Sequence, residues 1–243
     1  MAKLVYEDGR LLFTKEMKKE YKMLIPAMAP YHFEYFVTLL KSEGYNAEIL
    51  KNNSFDVIHE GMKYTHNDIC VPAMLVIGQF IDAVKNNGYD VHKVALVMTQ
   101  TGGGCRASNY VSLIRKAFKK AGYEFIPIVS FNAVGLEKNP GFSINRSITL
   151  KLITALIAGD VMMQLYNEVI PYEVNKGDTE KAYQEVNTTL NEYFYYPDYK
   201  VFYHPTRLFK KIIKRFSEVE VDRSVLKPKV GIVGEIYVKY SPL

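Results

Sequence analysis

The sequence predicts an α/β fold, an open and mostly parallel sheet with helices on both faces, joined to a helix-rich C-terminal half. Two observations carry that expectation. From Glu20 onward, short apolar runs of strand length alternate with amphipathic stretches at helical spacing. Beyond Ser143 the texture changes to long helical periodicity. A chain of 243 residues with 48% hydrophobic composition can bury a real core, in one large domain or two small ones. The change of texture divides the expectation into residues 1–142, an α/β cysteine-bearing domain, and residues 143–243, a helical layer followed by the start of a further βα unit.

In order, Tyr21 to Ala27 reads as the first strand, and Phe33, Phe36, Val37 and Leu40 mark the following helix, which Gly44 stops. Ala47 to Leu50 reads as the next strand, and Lys51 to His59 as a polar stretch. Pro72 opens a helix, where its missing N–H costs nothing, and that helix runs to about Asn86. Val94 to Met98 is a short apolar run suited to a strand covered on both faces. A Thr-Gln-Thr-Gly-Gly-Gly-Cys-Arg loop follows, then a helix with Val111, Ile114, Phe118 and Ala121 on one side. Phe125 to Phe131 supplies another strand. Helical patterns cover Ile144 to Val169, Asp178 to Tyr195 and Thr206 to Phe216, and Lys229 to Val238 returns to a strand pattern.

Composition narrows the function classes. The N-terminus carries charges where a signal peptide needs an apolar stretch, and the run Leu150 to Leu165 is broken by Lys151 and Asp160, so the expectation is a cytoplasmic chain without a membrane span. A net charge of +5 is mild, and the basic cluster of Lys210, Lys211, Lys214 and Arg215 reads as a solvated helix face, with no nucleic-acid partner expected. The two cysteines are too few for a disulfide scaffold, and the 34 residues between them match no zinc-finger or thioredoxin spacing.

Both cysteines nevertheless fall where an open parallel sheet places its ligands, at strand carboxyl ends and helix starts. Cys70 lies two residues before Pro72, and Cys105 closes the turn Gly102-Gly103-Gly104. A helix N-terminus stabilises a thiolate or an anionic group through its unpaired N–H groups. Glycines leave no side chain between those amides and a bulky ligand.

The segment Asn67-Asp68-Ile69-Cys70-Val71-Pro72 with Gly78-Gln79, and then Met98 to Tyr110, resembles the superfamily of 2-hydroxyacyl-CoA dehydratase components, more closely its large activase-related proteins. Phe13 to Tyr21 and Met28 to Phe33 resemble the stretch that opens this region, so the likeness covers most of Leu12 to Asn132 and continues more loosely beyond. The resemblance implies an oxygen-sensitive 4Fe-4S cluster with Cys70 and Cys105 as thiolate ligands, low-potential electron transfer, and an ATP-dependent activator domain or protein as partner. It also implies an acyl-CoA or other small-molecule substrate. Related subunits use a third cysteine that this sequence lacks, so the missing ligands would come from further chain, from a homodimer supplying both cysteines twice, or the cluster would be absent. Two thiolates hold a cluster poorly in air.

Arg106 could offset the charge of a cluster or anchor a phosphate through its guanidinium fork, and Asn109 and Tyr110 could complete the pocket. Gly102, Gly103, Gly104, Arg106 and Asn109 are accordingly the candidate ligand-binding residues, and no catalytic residue stands out. His66 and Asp68 flank Cys70 without an established metal spacing. His32 reads as a helix-start residue, and Thr99, Gln100 and Thr101 at a strand end could contact substrate or phosphate or serve as turn hydrogen-bonding residues. The glycine loop is neither a phosphate loop nor a dinucleotide fingerprint, so ATP binding by this segment is not expected. The expected function is an iron–sulfur electron-transfer domain, inactive alone. The alternatives are a module binding CoA or another anion with passive cysteines, or a non-catalytic interaction fragment.

Overall fold

The computed structural model of the chain describes residues 3–100, 103–132, 137–143, 146–196 and 205–240. The fold is α/β, with an open, four-stranded parallel sheet and a helical C-terminal half. A two-residue antiparallel pairing, β1 (Tyr6–Glu7) with β2 (Arg10–Leu11), precedes helix α1 (Lys15–Glu20). The sheet strands are β3 (Lys22–Ile25), β4 (Asn46–Ile49), β5 (Val94–Thr99) and β6 (Ile128–Phe131), in the order β4-β3-β5-β6. The chain moves outward from β3 to β4, then crosses back over β3 to β5. The switch point therefore lies between β3 and β5, and all four carboxyl ends share one edge.

The contacts divide the chain into two units, residues 1–30, 43–144 and 234–243 forming the first and residues 31–42 and 145–233 the second. In the first unit, α3 (Phe55–Tyr64), α4 (Val71–Asn86) and α5 (Tyr110–Lys120) accompany the sheet. The core joins Leu24, Leu96 and Ile128 of the strands to Val76, Phe80, Ile114 and Phe118 of the helices, each at most 4% exposed. Burying side chains of this size contributes about 1.5–3 kcal/mol each before entropy is counted.

Helices α3 and α4 touch backbone to backbone. A β-carbon on Gly78 would overlap the Val57 carbonyl oxygen and lie 2.8 Å from the Gly61 nitrogen, so both glycines are demanded by packing. The next residue, Gln79, is fully buried. Its Oε1 accepts from the Ala27 amide (2.9 Å) and its Nε2 donates to the Asn52 carbonyl (2.9 Å), which ties the ends of β3 and β4 to α4. Asn52 Nδ2 in turn donates to Asp82 (2.7 Å), which also accepts from Asn86.

The second unit contains α2 (Pro30–Ser42), α6 (Arg146–Val169), α7 (Asp178–Tyr195) and α8 (Pro205–Ser217). Tyr35 donates to Asn187 (2.9 Å) and Thr38 to Asn191 (2.5 Å), a ladder between α2 and α7. His32 is buried against Gly159, where a β-carbon would strike the ring, and its Nε2 lies 2.9 Å from Asp160. That pair fastens α2 to α6. The segment Ile148–Tyr172 is long and apolar enough to cross a membrane by length and composition, and 39% of its apolar 18-residue window is buried within the fold.

Two sequence expectations fail locally. The polar stretch from Lys51 to His59 contains the start of α3, capped by Ser54, whose hydroxyl accepts from the Asp56 amide. The expected strand from Lys229 to Val238 is not formed. Val230, Ile232 and Val233 are 83%, 70% and 89% exposed in unpaired chain, and Ile236–Tyr240 is a short helix, α9, whose Tyr237 is buried in the core of the first unit. A β-branched run favours extended backbone, but a strand also needs a partner ladder.

Candidate functional site

The helix of a parallel βαβ unit runs back against its strand, so its N-terminus lies at the carboxyl edge of the sheet. Cys70 is the N-cap residue of α4, with Pro72 in the first turn. Cys105 is the N-cap residue of the 3-10 turn Arg106–Asn109 that leads into α5. Neither thiol makes a side-chain cap bond to its helix, so each sulfur is left for other partners.

Tyr110 contacts Cys70. Its hydroxyl lies 3.6 Å from Cys70 Sγ, and the ring is buried at the start of α5. Burial holds the phenol above its ordinary range, and Cys70, then Cys105 and Glu235, push it the same way. A phenol so placed keeps its proton and can donate it in a hydrogen bond to a thiolate. Cys70 is half-buried and Cys105 exposed.

The glycine loop has different reasons for its composition than the α3–α4 seam. A β-carbon on Gly103 or Gly104 would meet nothing within 4 Å, and neither residue has a left-handed backbone. Packing does not require either glycine. The space in front of them would admit a ligand to the backbone. Gly102, and with it Thr101, lies outside the described residues, as does the side chain of Arg106; Asn109 is exposed at the N-cap of α5 without a side-chain cap bond.

Gln100 braces this loop, a role the sequence did not single out. Its Nε2 donates to the Ser108 carbonyl (3.0 Å), and its Oε1 accepts from Ser130 of β6 (2.7 Å). Ser108 in turn donates to the Cys105 carbonyl (2.6 Å). Arg115, one turn and a half into α5, makes two bonds to Glu137 at 2.7 and 2.6 Å, and Arg10 adds a third contact at 3.1 Å. His66 and Asp68 are exposed on the strap before Cys70. His32 belongs to the second unit and its contact with Asp160 accounts for it.

Among the described residues, no three His, Cys, Asp or Glu side chains gather into a metal-binding group. Two free thiols could supply at most two of the four ligands that a 4Fe-4S cluster takes. Compared with models of protein families, with curated proteins and with solved structures, the chain finds no match.

Proposed function

We propose that the first unit is an iron–sulfur electron-transfer domain of the dehydratase-activase type, with Cys70 and Cys105 as two ligands of a 4Fe-4S cluster and the other two from a second copy or further chain. The observation that supports it best is that both thiols stand at helix starts on one sheet edge, with Cys70 Sγ 3.6 Å from the Tyr110 hydroxyl. A cluster bound there would supply one-electron transfer at low potential. The protein's share is binding and tuning. The helix N-termini favour negative charge, the Tyr110 hydroxyl would donate to a Cys70 thiolate, and Gly103 and Gly104 leave the backbone open to close approach. An ATP-driven reductase would be the electron donor.

Anaerobic reconstitution with iron and sulfide tests this reading. Wild type should take up iron and acid-labile sulfide with a brown chromophore, and Cys70→Ser and Cys105→Ser should each lose it while keeping the helical signal of the fold. Equal iron content in all three proteins rejects the ligand assignment. The second reading, an anion-binding module with passive cysteines, draws support from there being no three-ligand group among the described residues.

A further inference from the structure

A groove of about 620 Å³, within the size range of small-molecule sites, runs beside α5 and takes none of its lining from the glycine loop. Its apolar lining is Ile69, Ile77, Leu113 and Ala117, and its rim includes Lys116, Lys119 and Lys120. Two bonds fix its orientation. Lys120 Nζ, at the C-terminal end of α5, donates to the Lys63 carbonyl (2.8 Å), while Tyr110, at the N-terminal end, meets Cys70 (3.6 Å). The strap of residues 64–69 therefore runs antiparallel to α5 along its length, roughly 15 Å at the helical rise.

The polar groups are distributed unevenly along that strap. Asp68 stands two residues from Cys70, toward the N-terminal end of α5, whereas Lys119 and Lys120 stand at the opposite end with Lys116 one turn before them. Among the described residues, neither Lys116 nor Lys119 is paired with a carboxylate. Tyr64, also in the lining, already has the ammonium groups of Lys63, Lys85 and Lys120 within 5.3, 4.7 and 5.9 Å of its ring centre. The groove thus has a largely apolar middle, with Thr65 and His66 on its strap side, a cationic end, and Asp68 at the other end, where an anion is disfavoured.

We propose that this groove binds a free amphiphilic carboxylate of the fatty-acid type, with its head at Lys116, Lys119 and Lys120 and its chain along Ile69, Leu113 and Ala117 toward the Cys70 end. A cationic amphiphile is disfavoured at the lysine end, and a wholly polar anion leaves the apolar lining unused. The site is independent of the iron–sulfur reading, since no lining residue is one of the proposed cluster ligands.

The test is calorimetric titration of the full chain with monomeric decanoate, with decyltrimethylammonium as the cationic control. Wild type should bind decanoate with one site per chain and the cation at least about tenfold more weakly, three lysines facing a single carboxylate along the groove. Reversing two exposed lysines in K116E/K119E should weaken decanoate by about tenfold or more, two attractions becoming two repulsions at the rim. Amide shifts on decanoate binding should centre on Ile69, Leu113 and Ala117, and Leu113→Asn should weaken binding with the lysines intact. Absence of saturable binding in wild type, or equal affinity in K116E/K119E, overturns the proposal. Sedimentation with phosphatidylglycerol vesicles that K116E/K119E abolishes would assign the lysines to a lipid surface and overturn the free-ligand site.

Discussion

The two halves of one sheet edge are built in opposite ways. On the β3–β4 side the edge is filled: Gln79 bonds to the ends of both strands, and Gly61 and Gly78 let α3 lie directly on α4. On the β5 side it is left open, with Gly103 and Gly104 facing free space, and Cys105, Cys70 and the Tyr110 hydroxyl nearby. Glycine serves the fold in the first half and serves no packing contact in the second. The difference separates residues that hold the protein together from residues available for a ligand.

The largest expected effect is in the filled half. Gly78→Ala forces a methyl into the Val57 carbonyl and should cost about 3 kcal/mol or more, or prevent folding, because the obstacle is backbone and not a movable side chain. Soluble yield and urea unfolding measure it. Gln79→Ala comes next, since it strands the Ala27 amide and the Asn52 carbonyl without their partners, for a loss of about 2–4 kcal/mol. Stability of that variant within 0.5 kcal/mol of wild type, a difference of about surface-mutation size, would break the contrast.

Toward the amino end of β6, where Arg115 also reaches the Ile128 carbonyl, charge holds the fold. Burial alone would raise the Glu137 carboxyl, but the paired bonds from Arg115 and the contact with Arg10 outweigh it and hold the group below its ordinary value of 4.5. A depressed folded value means stability present above the unfolded value and lost as pH falls through the folded one. Unfolding followed from pH 7 down to pH 2 should therefore show a loss below about pH 4.5 that Glu137→Gln lacks. At neutral pH the substitution should cost about 1.5–3 kcal/mol, the range for bonds to a charged group. The smallest effect belongs to Gly103→Ala and Gly104→Ala, which should change unfolding free energy by no more than about 0.5–1 kcal/mol in either direction. A loss of several kcal/mol there would give those glycines a structural role after all.

The alternation of strands and helices was legible because burial imposes it. Val94 to Met98 is apolar throughout as β5 requires, and Val111, Ile114 and Phe118 mark the inward face of α5. Helix α3 was not legible because only Val57 and Gly61 are buried, while Phe55 and Met62 are 80% and 64% exposed. The filled half was hidden for another reason. Gln79 looks like any polar residue until its amide is seen bridging partners 52 and 27 residues away. Val230 to Val233 misled because composition reports strand preference, not the presence of a neighbouring strand. At the site, the helix-start positions of Cys70 and Cys105 could be read from Pro72 and the glycines. The brace through Gln100 and the pairing of Arg115 with Glu137 could not, since neither follows a helical or strand spacing.

The central claim is that Cys70 and Cys105 face one site. Phenylarsine oxide tests it directly, because the arsenic forms two As–S bonds with a close pair of thiols and releases water. Mass spectrometry after treatment and alkylation should show one arsenical per wild-type chain with both cysteines protected, and alkylation of the remaining cysteine in Cys70→Ser and in Cys105→Ser. Alkylation of both wild-type cysteines at the rate seen without the arsenical would contradict the account.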